Sequence, residues 1–205
     1  MALTHYNESY WAPKSAKDSI GKAIELANKA ISLNNSLSEA YSLLGSILIR
    51  KKQHEAGLKK LEEAAELSPN GANVHALLAF GLAMADKTEE AILISKKAMR
   101  LNPIPPSWYL LHRTMMYRNI GNYNEALVWA EKTVKVEPKN FVGRLNLCSV
   151  YSLTGRMAEA RIQANEAMKI NPKFSLKWFN KALPYKNPEV KKRYIDALRN
   201  AGLPG

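Results

Sequence analysis

Four short stretches decide how this chain folds: ELSPN at 66–70, RLNPI at 100–104, KVEPK at 135–139 and KINPK at 169–173. Their prolines, Pro69, Pro103, Pro138 and Pro172, stand 34, 35 and 34 residues apart. Twelve residues before each proline comes a small residue, Gly57, Ala91, Ala126 or Ala160. Five before come Ala64, Ala98, Thr133 and Ala167, and two before come the aliphatics Leu67, Leu101, Val136 and Ile170. Proline lacks an N–H and clashes with the preceding turn, so each one ends a helix. Small residues in phase with it mark where two helical backbones approach closely, since larger side chains would force them apart. The expectation is an all-α chain of repeated helical hairpins.

That period, with small residues, aliphatics and proline all in phase, resembles the tetratricopeptide repeat. The resemblance implies a right-handed alpha-alpha superhelix, a solenoid, with four repeats at 38–71, 72–105, 107–140 and 141–174. Residues 1–37 read as a partial repeat. SIGKAIELANKAISLNN at 19–35, with Ala23, Ala30 and Leu33 in register, supplies its second helix, while THYNESYWAP at 4–13 is short for a first helix and interrupted by Pro13. A partial repeat leads to the expectation that Met1 begins a piece of a longer parent chain.

Tyr41, Leu44 and Gly45 in the first repeat, and Leu147, Tyr151 and Gly155 in the fourth, take the family's aromatic, leucine and glycine places. The third repeat carries Gly121, Tyr123 and Ala126, but Arg113 and Thr114 fall where leucine and glycine belong, which predicts looser packing. After Pro172 the pattern changes. Ser175 is placed to cap a helix bearing Trp178 and Phe179 that seals the last repeat. Asn187 and Pro188 form an N-cap and first-turn pair, followed by Val190, Tyr194, Ala197, Leu198 and Ala201 on one helical face, with Gly202 and Pro204 ending it. Residues 175–205 are thus expected to be two C-terminal capping helices.

At 205 residues and 46% apolar composition the chain can bury a core. Its best apolar run, Ala76 to Ala85, ends at Asp86, well short of the roughly 18 residues a membrane span needs. MALTHYNESYW lacks the flanks of a signal peptide, so a cytoplasmic location is expected. A single cysteine, Cys148, precludes an intramolecular disulfide, and His5, His54, His75 and His112 are scattered, so neither metal nor cofactor is expected. Cys148 occupies a small-residue place in a first helix, where burial is the ordinary fate. Phosphate loop, nucleophile elbow and isolated carboxylate pair are all missing, so the chain reads as non-enzymatic.

The net charge of +12 raises an acidic partner or nucleic acid. From Lys169 onward nine basic residues stand against two acids, Glu189 and Asp196, so more than half of the excess lies in the tail. Trp108 and Trp129 fall inside the repeat pattern and Trp178 on the capping helix, where core packing outweighs base stacking. Lysine pairs at 51–52, 59–60 and 96–97 read as solvated faces. Nucleic acid is therefore the lesser reading, through electrostatic attraction to the basic tail.

LPYKNP at 183–188 and RYIDALRNAGLPG at 193–205 resemble the end of proteobacterial class III adenylate cyclases that carry these repeats behind a catalytic domain. PPSWY at 105–109 resembles a stretch of that group and of repeat-bearing transcriptional regulators. Cyclases of that kind use paired metal-binding aspartates in a domain with no counterpart here, so no catalytic residue carries over. The resemblance implies a regulatory or protein-interaction module of a bacterial signalling protein, or alternatively the effector region of a transcriptional regulator.

In the repeat family the second, fifth, ninth and twelfth places of the first helix point into the concave groove. Carried onto this sequence they give Ser42, Ser46 and Ile49; Ala76, Phe80 and Ala83; Trp108, Leu111, Met115 and Arg118; and Leu145, Ser149 and Ser152. Such a groove is largely apolar and suits a peptide or amphipathic helix anchored near Phe80 and Met115. Packing between neighbouring helices is the competing role for the same side chains. Relatives that clamp a peptide's terminal carboxylate use lysine and asparagine, and only Asn146 fits, which disfavours a clamp. His112 and Arg118 are candidates for ligand contact, although a core histidine and a solvated arginine are the commoner fates.

Overall fold

The computed structural model describes residues 16–205, and within them all regular structure is helical. Helix α1 (Ala16–Leu33) leads into four antiparallel pairs. These are α2 (Ser38–Arg50) with α3 (His54–Leu67), α4 (Ala72–Met84) with α5 (Thr88–Leu101), α6 (Ser107–Asn119) with α7 (Tyr123–Val136), and α8 (Phe141–Leu153) with α9 (Met157–Ile170). A short α10 (Leu176–Ala182) and α11 (Pro188–Asn200) complete the chain. THYNESYWAP lies outside the described residues. The second helix read at 19–35 corresponds to α1 up to Leu33, with Asn34 and Asn35 beyond its end, and its Ala23 and Ala27 pack on Leu43, Leu44 and Ile47 of α2.

Burial explains the different character of the two helices in a pair. Each first helix touches its own partner, the second helix before it and the next first helix, so it is apolar on most sides. Helix α4, ANVHALLAFGLAM, buries nine of its residues. Each second helix faces solvent and buries a narrow stripe, as α3 does with Gly57, Leu58, Leu61 and Ala64. The first pair crosses closely. A Cβ on Gly45 would stand 2.8 Å from the Gly57 carbonyl oxygen, nearer than such atoms come in real structures. The same two places hold Ala79 and Ala91, Thr114 and Ala126, and Cys148 and Ala160 in the later pairs, all fully buried.

The turn inside every pair uses a left-handed residue at one fixed place: Lys52 (φ 62°), Asp86 (φ 70°), Gly121 (φ 78°) and Gly155 (φ 76°). Glycine adopts that conformation freely, whereas lysine and aspartate do so at a cost of about 1 kcal/mol. The two non-glycine residues belong to the first two pairs, whose turns meet the C-terminal tail.

The third pair buries both of its unusual residues. Thr114 is fully buried and its Oγ1 donates to the Leu110 carbonyl at 3.0 Å. Arg113 is buried too. Its guanidinium donates to Ser95 Oγ (2.8 Å) and Tyr117 Oη (3.1 Å) and lies 4.3 Å from the Trp129 ring centroid. Trp129 and Tyr117 supply the flat apolar walls a leucine would need, and the guanidinium plane stacks between them. Burial pulls the Arg113 pKa below its ordinary value, with Tyr117 and Glu125 opposing. Arg113→Leu restores the family residue, removes a desolvated charge and leaves Ser95 Oγ bonded to the Ile92 carbonyl. We expect the variant to be as stable as the parent or up to about 2 kcal/mol more stable in urea titrations, whereas Arg113→Ala should cost about 2 kcal/mol through the void it leaves.

The tail does more than close the end of the stack. Helix α10 does cap it: Ser175 Oγ accepts from the Trp178 N–H, and the rings of Phe141, Phe174, Phe179 and Tyr194 follow one another edge to face at 5.1, 5.4 and 5.9 Å. Residues 183–187 then run extended back along the stack, and α11 returns across α8. Asn187 Oδ1 accepts from the Glu189 and Val190 N–H groups, with Pro188 in the first turn, and Gly202 (φ 94°) terminates the helix. The Leu176 N–H donating to the Pro204 carbonyl at 2.9 Å ties the ends of this tail together.

Candidate functional site

The first helices α2, α4, α6 and α8 stand side by side and form one continuous inner face. Of the thirteen residues expected there, Ser42, Ser46, Ile49, Ala76, Ala83, Met115, Arg118, Leu145 and Ser149 are buried. Phe80, Trp108, Leu111 and Ser152 are half-buried. The buried majority has two causes. Ile49 stands against the helix crossing itself, its side chain beside Gly57 and Gly81. Arg118 and Ser149 lie beneath the tail.

Three anchors hold the tail on this face. The Lys186 N–H donates to the Met84 carbonyl at 2.8 Å, a strand-like contact with the open end of α4. Asn187 Nδ2 donates to both carboxylate oxygens of Asp86 at 3.1 Å, which gives that strained turn residue a task. Tyr185 and Tyr194 close over Arg118. Its Nη2 donates to Tyr185 Oη at 2.7 Å, its Nη1 to Asn146 Oδ1 at 2.7 Å and Ser149 Oγ at 3.3 Å, and its guanidinium lies 3.5 Å from the Tyr194 ring centroid. Tyr194 Oη also donates to Asn146 Oδ1, and Arg193 donates to the Asn119 carbonyl. Arg118 is therefore a buried structural hub, in contrast to the solvated arginine that a sequence reading favours. Burial drives the Tyr194 phenol well above its usual range, so it stays protonated and keeps donating.

Beyond the tail, one part of the inner face stays half-open between the second and third pairs. His112 stacks on Phe80 (centroids 4.7 Å, 25° between planes) and meets Trp108 edge-on at 5.4 Å. Trp108 in turn packs edge-on against Tyr109, whose Oη donates to Asn73 Oδ1 at 2.8 Å. Leu111 borders this group. Burial pulls the His112 pKa down to about 4, against the opposing pull of the Ala76 carbonyl, so the ring is neutral at pH 7 and serves as a flat, weakly polar surface. Cys148 lies within the core, its thiol pushed up to about 12 by burial, and is no nucleophile at neutral pH. Among the described residues no three His, Cys, Asp or Glu side chains converge as metal ligands, and no helix is long and apolar enough to cross a membrane.

Sequence reasoning missed Met84, Asp86, Asn119 and Tyr185 as parts of this face. Only Asp86 carried a signal, as a non-glycine where later pairs have Gly121 and Gly155.

Residues 38–70 match the tetratricopeptide repeat family. A solved tetratricopeptide-repeat protein of Thermus thermophilus superposes on 97% of this chain and 100% of its own, with a TM-score of 0.69 and 20% identity. The fold is a tetratricopeptide-repeat solenoid. Other solenoids that superpose well include PilW, a type IV pilus biogenesis factor (TM-score 0.70, 13% identity, 94% of this chain and 90% of that one). Another is YrrB, described as having an unusual peptide-binding site (TM-score 0.56, 19% identity, 84% and 88%). By sequence, the solenoid is 29% identical over 116 residues to the STIP1 homologue of Dictyostelium discoideum. That match covers 57% of this chain and 19% of the relative, so the chain spans about a fifth of its length.

Proposed function

We propose that this solenoid is a protein-interaction module that captures a peptide or short helix on the inner face of its first helices, through the half-open patch of Phe80, Trp108, Leu111 and His112. One observation carries the reading: this face already seats an extended segment followed by a helix, held by a main-chain hydrogen bond at Met84 and side-chain anchors at Asp86 and Arg118. A surface that accepts one such segment has the donors, acceptors and apolar walls to accept another. YrrB, of the same fold, is described by its peptide-binding site, which favours the reading further. Flat rings in a rigid stack suit an anchor role, because little conformational entropy is lost when a partner covers them. The test is capture by the other domains of the parent protein. Phe80→Ser with Leu111→Ser, a pair of half-buried residues, should keep full helicity and weaken capture at least tenfold. Unchanged capture by the folded double variant would remove the patch from consideration.

The parent is, in our reading, a signalling protein of the class III adenylate cyclase type, on the strength of PPSWY, LPYKNP and RYIDALRNAGLPG. Sequencing upstream in the same reading frame tests this: a cyclase catalytic domain there would support it, and a winged-helix DNA-binding domain would point to a transcriptional regulator instead.

A further inference from the structure

The tail fits its seat in shape but not in charge. Where the tail reaches the first two pairs, Lys186 comes within electrostatic reach of His54, and Lys191, in the first turns of α11, within reach of Lys52. The His54 pKa is lowered by burial and then by Lys186 and Lys52, and that of Lys191 by burial and then by Lys52. Among the described residues none of these three lysines has an ion-pair partner. At the other anchor, Arg118 is only 3% exposed, its guanidinium lies against the Tyr194 ring, and its hydrogen bonds go to neutral oxygens, those of Tyr185, Asn146 and Ser149. A buried guanidinium gains far more from a carboxylate than from a phenol, through two parallel charge-assisted bonds.

We propose that the C-terminal hairpin, residues 183–200, is a displaceable plug, and that the segment displacing it is acidic, with an Asp or Glu side chain replacing the Tyr185 phenol on Arg118. This rests on the interaction-module reading and names its partner chemistry. An incoming acidic segment relieves the crowding of Lys191 against Lys52 and of Lys186 against His54, and supplies Arg118 with a counter-charge, whereas the basic tail does neither. The plug therefore holds the inner face closed against uncharged and basic segments and yields to acidic ones. Because residues 183–200 also bury Tyr194, Ile195 and Leu198, the displacing segment must bring apolar residues to take their place as well as the acid for Arg118.

The probe is a fluorescein-labelled peptide of residues 183–200 carrying Tyr185→Glu, Lys186→Glu and Lys191→Glu, titrated into the full chain by anisotropy beside a peptide of unaltered sequence. The acidic peptide should bind at least tenfold tighter than the unaltered one, and several-fold tighter still to a chain with Asn187→Ala, which releases the plug from Asp86. Hydrogen exchange across α11 should rise on binding as the helix leaves. Arg118→Gln should abolish the difference between the two peptides. Should that variant unfold, Arg118→Lys, which keeps the charge but loses the fork, should narrow it. Equal binding of the two peptides, insensitivity to the Arg118 substitutions, or α11 protection unchanged at saturation would overturn the proposal. Capture lost through Phe80→Ser with Leu111→Ser tests the underlying module reading separately, so the two can fail independently.

Discussion

A chain ending at Pro172 is expected to melt at least 10 °C below the parent, or to aggregate. The deleted residues include Leu176, Phe179, Tyr194, Ile195, Leu198 and Leu203, each less than a tenth exposed. Burying a side chain of this size is worth about 1.5–3 kcal/mol before entropic offsets, so the loss reaches several kcal/mol. For a domain of this length each kcal/mol moves the midpoint by about 2–4 °C. The deletion also uncovers Phe141 and Leu145 of α8 and leaves the Arg118 guanidinium without its phenol and its ring, creating an apolar patch around an unpaired donor. A solenoid needs a terminal unit with a polar outer face, and here α10 and α11 supply it for the fourth pair. Circular dichroism melts and light scattering on a sizing column give the readout. The point variant Leu198→Ala, at a fully buried site, should lose about 3 kcal/mol by itself. A truncated chain that stays monomeric and melts with the parent would mean the tail contributes no cover, and its contacts with Met84, Asp86 and Arg118 would then be energetically idle.

Acid should weaken the fold, and one ring, His112, should account for much of the loss. His112 has its folded pKa lowered to about 4, while an unfolded histidine titrates near 6.5. Above pH 6.5 neither state takes the proton and the residue adds no pH dependence. Below it the unfolded chain binds a proton that the folded chain refuses, so stability falls as pH drops from about 6.5 toward 4, by about 2 kcal/mol over that interval. His112→Phe keeps the stack with Phe80 and Trp108 but has nothing to protonate. Urea midpoints at pH 7 and pH 4.5 should show the parent losing about 2 kcal/mol more than the variant. Equal losses in both would place the acid sensitivity at His54 and the carboxylates instead. Because His112 sits in the proposed capture patch, a partner covering the ring should deepen this sensitivity.

Much of this architecture could be read from the chain, and the reason is that its determinants are local. A proline every 34 or 35 residues stops a helix wherever it stands, and a small residue twelve places earlier marks a crossing within the same pair. Asn187 with Pro188, and Gly202 after α11, act within one helical turn of themselves, so the bounds of the tail helix followed from its own residues. The inner-face positions of the first helices came from the resemblance to the repeat family, and nine of the thirteen are buried.

Tertiary structure alone decided what those positions meet. Arg118 and Tyr185 lie 67 residues apart and Asp86 and Asn187 101 apart, and no periodic pattern links either pair. Arg113 read as a fault in the third repeat because its identity conflicts with a hydrophobic place; only the adjacency of Trp129, Tyr117 and Ser95, drawn from three helices, makes a guanidinium fit there. The tail read as an end cap because its apolar face must be covered, and the cap at the last pair was the nearest cover available. Where that face came to rest depended on matching a phenol, an amide and a main-chain N–H to partners in the second and third repeats. A chain's own order thus determines which helices form and how neighbours pair, whereas the closing of the inner face by the tail is a property of shape and charge that exists only once the stack is built.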